Sequence, residues 1–251
     1  VEKALSKNHD TTAIIREGSD ISNLAGIDGY QRISLNYSSV DSITNGLNEL
    51  PKQDLIIHNA GLVKSYTLEK YLKVNVELTA RLIQGIKESS AAGLNTKFAY
   101  ISSLAAKGPV GNGGPASNYG ISKLKAEEVV TNSGLNWMIF RPTGIYGARD
   151  VQFVPLIKAV KLGLYPLMTS PKHQMTLINA ADVAENVIDC SFSHNRQIVH
   201  LEDGSVYEHK DLKRILEKVL DKKSLNLKVS PPIVKAVLYL SDIIDRTFDR
   251  T

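Results

Sequence analysis

A chain of 251 residues, 43% of them hydrophobic, is long enough to bury a full core in one large domain or in a domain with an appended lobe. Its formal charge of +4 and pI near 9.0 are mildly basic, but Lys and Arg are scattered among Asp and Glu, so nucleic-acid binding is not implied. A single cysteine, Cys190, excludes an intramolecular disulfide and a cysteine-based metal cluster; with no signal segment and no membrane-length apolar run, the expectation is a soluble, cytoplasmic protein without a membrane partner.

Residues 1–7 read as the last turns of a helix, which Asn8-His9-Asp10 ends. A β-rich run at 11–15 is closed by Arg16-Glu17-Gly18-Ser19, a strand entering a loop. An apolar segment at 32–35, a helical stretch at 39–50 and a buried-type strand at 54–58 come next. Between 67 and 90, Leu72, Val76, Leu78, Leu82, Ile83 and Ile86 recur with the period of an amphipathic helix, and a strand at 97–101 follows. A Gly/Pro-rich loop at 108–115, containing Gly111-Asn112-Gly113-Gly114, leads into a helix carrying Tyr119 and then a strand at 137–140. Beyond Arg141-Pro142 the pattern predicts a helix at 154–162, short segments over 165–178, a helix at 180–190, a strand at 197–201 and helices at 208–220 and 232–248. Strands alternating with helices argue for an α/β fold with a doubly wound parallel sheet, Rossmann-like, over 1–150. A smaller C-terminal α+β substrate lobe, 151–251, is expected to interleave with the last sheet strands.

Chemistry concentrates where those strands end, because ligands in open parallel sheets gather beyond the carboxyl ends. Asn59-Ala60-Gly61 follows one strand, Ser102-Ser103 the next, and Arg141-Pro142-Thr143-Gly144 the third. In Asn118-Tyr119-Gly120-Ile121-Ser122-Lys123, Tyr119 and Lys123 stand one helical turn apart on the same face. A nearby ammonium favours a phenolate and lowers its pKa, so a hydroxyl, a Tyr and a Lys on one rim make a donor, a base and a base-activating cation.

These residues, with Ile56-Ile57-His58-Asn59-Ala60-Gly61, Val74-Asn75-Val76, Tyr100-Ile101-Ser102-Ser103, Ile145-Tyr146-Gly147 and Ala181-Asp182-Val183-Ala184, resemble the extended branch of the short-chain dehydrogenase/reductase superfamily, its NAD(P)-dependent epimerases, dehydratases and reductases. The resemblance implies Tyr119 as the acid/base, Lys123 as the group that lowers its pKa and bonds the nicotinamide ribose, and Ser103, rather than Ser102, as the hydroxyl that orients substrate. It implies Asn59, Ala60, Gly61 and Ser102 along the cofactor, Asn75 bracing the site, and Pro142, Thr143, Gly144 and Ile145 facing the nicotinamide. Arg16, where an arginine can take the 2′-phosphate of NADP, leans the cofactor toward NADP. The resemblance implies that Asn36 stands where the family often has an aspartate near the adenine. Thr143 and Arg149, with Lys172 and His173, are candidates for the substrate.

The family's glycine-rich fingerprint and the strand before it are absent from the sequence, and Gly111–Gly114 lie in the wrong place to replace them. We expect that they are missing from this chain and not substituted. The resemblance implies an NAD(P)-dependent epimerase or dehydratase of a nucleotide sugar, or an NADP-dependent reductase of a small carbonyl or hydroxysteroid-like substrate. A non-catalytic dinucleotide sensor is the alternative of another class. A homodimer through the helix at 67–90 and the Tyr119 helix is implied by analogy.

Overall fold

The computed structural model of the chain describes residues 1–108, 113–150, 152–167 and 174–228. The helix expected at 232–248, the candidates Lys172 and His173, and Gly111 and Asn112 of the glycine cluster lie outside the described residues. In chain order the strands are β1 (Thr12–Ile15), β2 (Gln31–Ser34), β3 (Leu55–His58), β4 (Lys97–Ile101), β5 (Asn136–Pro142), β6 (Gly144–Tyr146), β7 (Leu164–Leu167), β8 (Gln174–Asn179), β9 (Gln197–Leu201), β10 (Val206–Glu208) and β11 (Leu225–Lys228). The described residues divide into two compact units, Val1–Gly147 with Ile178–Asp203, and those of 148–177 with those from Gly204 to Lys228.

In the first unit, four strands form a parallel sheet in the order β3-β4-β5-β9, and β1 pairs with β2, also in parallel, as a separate two-stranded sheet. The alternation of strand and helix thus yields the Rossmann-like α/β arrangement expected. Residue 178 onward returns to this unit because β9 pairs with β5 along its length, from Met138↔Gln197 to Pro142↔Leu201.

Successive residues of a strand face opposite sides of the sheet, and here both sides are covered. Phe98, Tyr100 and Ile139 pack with Leu35, Ile43, Leu82 and Ile86 on one side, while Ala99, Met138 and Phe140 pack with Ile178, Val183 and Val187 on the other. That double burial is why β4 and β5 read as continuous apolar runs. The long amphipathic period becomes one helix over 68–88, but its middle stretch, Leu72–Glu77, is π-helical between α-helical Leu68–Tyr71 and Leu78–Glu88. Such widened turns re-aim side chains and are frequent at functional sites. Asn75 lies in it.

The register His58↔Tyr100↔Ile139 brings the carboxyl ends of β3, β4 and β5 out at one rim, delivering 59–61, 102–103 and 141–143 together.

The second unit has its own small core of Val160, Tyr165 and Leu167, packed by Leu156, Leu216 and Leu220. Helices Val154–Lys161 and His209–Leu220 supply much of it, β7 pairs in parallel with β11, and β10 pairs antiparallel with β8 from Val206↔Thr176 to Glu208↔Gln174. No described helix is long and apolar enough to cross a membrane.

Candidate active site

The helix Asn118–Thr131 begins at Ser117, whose hydroxyl accepts the Gly120 N–H at 3.1 Å. Gly120 then lets the helix come close to the preceding chain: a Cβ there would sit 2.3 Å from the Ala105 carbonyl oxygen. The short turn Leu104–Ala106 that it touches is capped by Ser103, whose hydroxyl accepts the Ala105 N–H at 3.2 Å. This close approach places the Ser103 hydroxyl near the Tyr119 phenol, where it favours the phenolate. Burial holds that phenol above its ordinary pKa; the nearby Ser103 hydroxyl opposes the shift and the neighbouring Tyr71 adds to it. The Tyr71 ring lies 6.0 Å from that of Tyr119, and its hydroxyl takes the Ser65 N–H at 2.9 Å while donating to the Val63 carbonyl at 3.1 Å.

Lys123, one turn on, is 6% exposed. Its ammonium donates to the Ile101 carbonyl at 2.6 Å and the Tyr100 hydroxyl at 3.2 Å, and lies 4.6 Å from the centre of the Tyr100 ring. Burial pulls its pKa down to about 8, against an opposing pull from Glu127. This differs from the expectation that Lys123 draws the Tyr119 phenol down. The cation is engaged by Tyr100 and Ile101, and Tyr119 is governed by burial, Ser103 and Tyr71.

Asn75 is 1% exposed and every polar atom of its side chain is used. Its Oδ1 accepts the Leu62 N–H at 2.6 Å, and its Nδ2 donates to the Leu62 carbonyl at 3.0 Å and to Ser122 Oγ at 2.9 Å. Ser122 Oγ in turn donates to the Tyr119 carbonyl at 2.7 Å. Asn75 therefore joins the segment after β3 to the helix of Tyr119. Gly61 suits this approach, since a Cβ at that position would sit tightly against Asn75 Oδ1 at 3.1 Å and in ordinary contact with Lys123 Nζ at 3.7 Å.

Of the residues expected at the site, Ser103, Tyr119, Lys123, Asn75 and Gly61 come together, and exposed Asn59 and Ala60 adjoin them in sequence. Thr143 Oγ1 is buried without a hydrogen-bond partner among the described residues, while Pro142 is buried and Gly144 and Ile145 are exposed. Ser102 differs from its expected place along a cofactor. Its hydroxyl is turned away to Glu127, because Glu127 is 3% exposed and must collect donors. Arg141 completes that cluster with two bonds, Nε to Oε1 at 2.9 Å and Nη2 to Oε2 at 2.5 Å. Arg16 and Asn36 are both exposed at the ends of β1 and β2, and Asn36 Oδ1 accepts the Ser38 N–H at 2.9 Å. Arg149 belongs to the second unit and has a left-handed backbone, φ 65°.

Sequence reasoning gave no role to Glu127, Tyr100, Tyr71 or Gly120, although Tyr100 and Gly120 stood in its motifs. Glu127 carried a usable signal: it follows Lys123 by one helical turn, as Lys123 follows Tyr119, and a carboxylate on the buried face of a helix demands a partner. Tyr71 and Tyr100 had none, because an aromatic in a helix or a strand is ordinarily core.

A family model described as the NAD dependent epimerase/dehydratase family matches residues 1–203. The chain belongs to that family. Among curated proteins it is similar to a ceramide reductase of Caulobacter vibrioides (strain NA1000 / CB15N), 29% identical over 136 residues, which are 54% of this chain and 39% of that protein. The chain thus matches about two fifths of the length of that relative. Among solved structures it is similar to a UDP-glucose 4-epimerase with UDP-glucose from Thermotoga maritima, at a TM-score of 0.76 and 14% identity, covering 92% of this chain and 81% of that one. It is also similar to a UDP-glucuronic acid 4-epimerase in complex with NAD from Bacillus cereus, at a TM-score of 0.72 and 19% identity, covering 91% and 82%. At these identities the structural likeness is one of fold.

Proposed function

We propose that the chain carries the acid/base side of an NAD(P)-dependent oxidoreductase that interconverts a secondary alcohol and a ketone. The observation that carries the reading is the gathering of the Ser103 hydroxyl, the Tyr119 phenol and buried Lys123 at the rim where β3, β4 and β5 end. The residues fit the nicotinamide end of a dinucleotide: Gly61 leaves the backbone uncovered close to Asn75 and Lys123, and the buried Thr143 Oγ1 has hydrogen-bonding capacity to spare. Asn59, Ala60, Gly61, Lys123 and Thr143 would hold that end. When bound, the nicotinamide supplies the donor and acceptor of a hydride.

Tyr119, kept protonated by burial, starts as an acid and gives its proton to a substrate carbonyl oxygen; in reverse it takes the proton of the hydroxyl. Ser103 donates to the same oxygen and orients it. Lys123, near its midpoint at about 8, supplies positive charge to the phenolate left behind once it is released from Tyr100.

A reductase acting on a hydroxyl or carbonyl compound is favoured by the 29% identity to a ceramide reductase and by the protonated Tyr119. A nucleotide-sugar epimerase or dehydratase is the second reading, favoured by the family and by the substrates of the solved relatives. The lean toward NADP rests on Arg16, and pairing of two copies through helix 68–88 and the Tyr119 helix belongs to the same reading.

Titrating the protein with NADH and with NADPH, followed by fluorescence, tests the proposal. Binding of one or both is expected; binding of neither overturns it. Tyr119→Phe should lower turnover by about 10²–10⁴-fold with dinucleotide binding nearly unchanged. Equal loss of both would remove the role given to Tyr119, and a bound dinucleotide with no turnover of hydroxyl, carbonyl or nucleotide-sugar substrates would leave a sensor.

A further inference from the structure

His58, the last residue of β3, is 3% exposed and packed against the rings of Phe98 and Tyr100, at 6.0 and 5.6 Å between centroids. Its Nε2 lies 2.9 Å from Thr79 Oγ1, and Thr79 Oγ1 lies 2.7 Å from the Asn75 carbonyl oxygen. A hydroxyl owns one proton. A carbonyl only accepts, so the Thr79 proton is committed to Asn75 and Thr79 Oγ1 must accept from His58. The imidazole is therefore protonated on Nε2.

The Asn75 side chain is oriented separately, by the Leu62 N–H on its Oδ1. Asn75 spends its two amide protons on the Leu62 carbonyl and on Ser122 Oγ, and Ser122 spends its proton on the Tyr119 carbonyl. From a strand end to the backbone of Tyr119, every hydroxyl in the chain accepts once and donates once. The turn that is held is the π-helical stretch Leu72–Glu77, where a departure from α-helical geometry needs outside support. We infer that His58, as a neutral Nε2–H imidazole, is a positioning residue that anchors through Thr79 the widened turn carrying Asn75, and so sets the segment after β3 against the Tyr119 helix.

A neutral ring suits its surroundings: burial, and next the charge of Lys123, push the His58 pKa down to about 3. The inference names a further residue for the site of the proposed oxidoreductase and rests on that reading for its functional meaning. The hydrogen-bond directions themselves need no cofactor.

Nitrogen-15 imidazole spectra of the whole protein at pH 7, with His58 assigned by its loss in His58→Gln, read the tautomer directly. A protonated Nε2 and an unprotonated Nδ1 are expected; the opposite tautomer or an imidazolium overturns the inference. A second measurement follows the Leu62 amide, which donates to Asn75 Oδ1. In His58→Leu its hydrogen exchange should accelerate about two- to tenfold, the loss of one net hydrogen bond. Thr79→Val should do the same, and His58→Gln, which can still donate to Thr79, should restore the slow rate. An unchanged Leu62 amide in both Thr79→Val and His58→Leu overturns the positioning role. If His58→Leu does not fold, the native tautomer and Thr79→Val decide alone. None of these readouts uses a dinucleotide, so their failure is separable from a failure of the NADH and NADPH titrations.

Discussion

Two sheets lie wholly within the first unit, and they are built to different standards. In β3-β4-β5-β9 the middle strands are buried on both sides, Phe98, Ala99, Tyr100, Ile139 and Phe140 all being 1% exposed or less. In the pair β1–β2 no residue is buried, and three of the four residues of β2 are exposed. The polar side chains follow suit. Those that leave the four-stranded sheet, His58, Ser102 and Arg141, have partners at stated distances or in a closed cluster. Those that leave the pair, Arg16 and Asn36, stand at the surface. Burial forces a polar group to find a partner, so geometry at the rim of the larger sheet is over-determined, while at the smaller sheet a role has to come from a ligand.

Substitutions should separate the two regions accordingly. The largest effect is expected from Glu127→Ala, which leaves Arg141 and Ser102 facing a buried gap; loss of one partner of a buried ion pair costs about 3–5 kcal/mol, read by urea unfolding. A cost under about 1 kcal/mol would mean that the cluster is solvated and the contrast overdrawn. Next comes Gly120→Ala. Its methyl group would press on the Ala105 carbonyl, an overpacking worth about 1–3 kcal/mol, and would lift Tyr119 from Ser103. A lower melting temperature together with a changed absorbance titration of Tyr119 would register both.

Acid should act through His58. The unfolded ring takes a proton near its ordinary 6.5 and the folded ring only at about 3, so between those values the unfolded state binds more protons. Stability contributed by the neutral ring is complete above pH 6.5 and is lost as pH falls through that window, by up to about 1.4 kcal/mol per unit. Melting temperatures of the native protein and His58→Gln from pH 7 to 4.5 should converge on acidification; parallel curves would deny His58 its buried, neutral state. The smallest effect on the fold belongs to Arg16→Ala, a change within about 0.5 kcal/mol. Any preference for NADPH over NADH should fall with it, and a preference that survives would remove Arg16 from the 2′-phosphate.

The legible part of the site was the part written in chain order. Tyr119 and Lys123 share a helical face by spacing alone, and Asn59-Ala60-Gly61 and Ser102-Ser103 end apolar runs, so their place at a rim followed from the alternation of strand and helix. Ser102 and Ser103 could be told apart only by family resemblance, since adjacent residues on an extended chain face opposite ways and nothing local says which faces the Tyr119 phenol. Arg141 was visible as part of a motif, but its partner was not: Glu127 is fourteen residues away and meets it only because β5 runs beneath the Tyr119 helix. The π-helical stretch at Leu72–Glu77 left no trace in a periodicity that reads as one helix.

By itself the sequence determined the class of fold and singled out Tyr119 and Lys123 as the proposed acid/base pair, because both depend on short-range periodicity and on residue types whose chemistry is intrinsic. Tertiary structure alone decided the state of that pair. Burial keeps the Tyr119 phenol protonated and pulls Lys123 toward neutrality, and the nearest acceptors of the Lys123 ammonium are Tyr100 and Ile101, brought under it by β4. A pKa measures surroundings assembled from distant parts of the chain, and no window of sequence contains them.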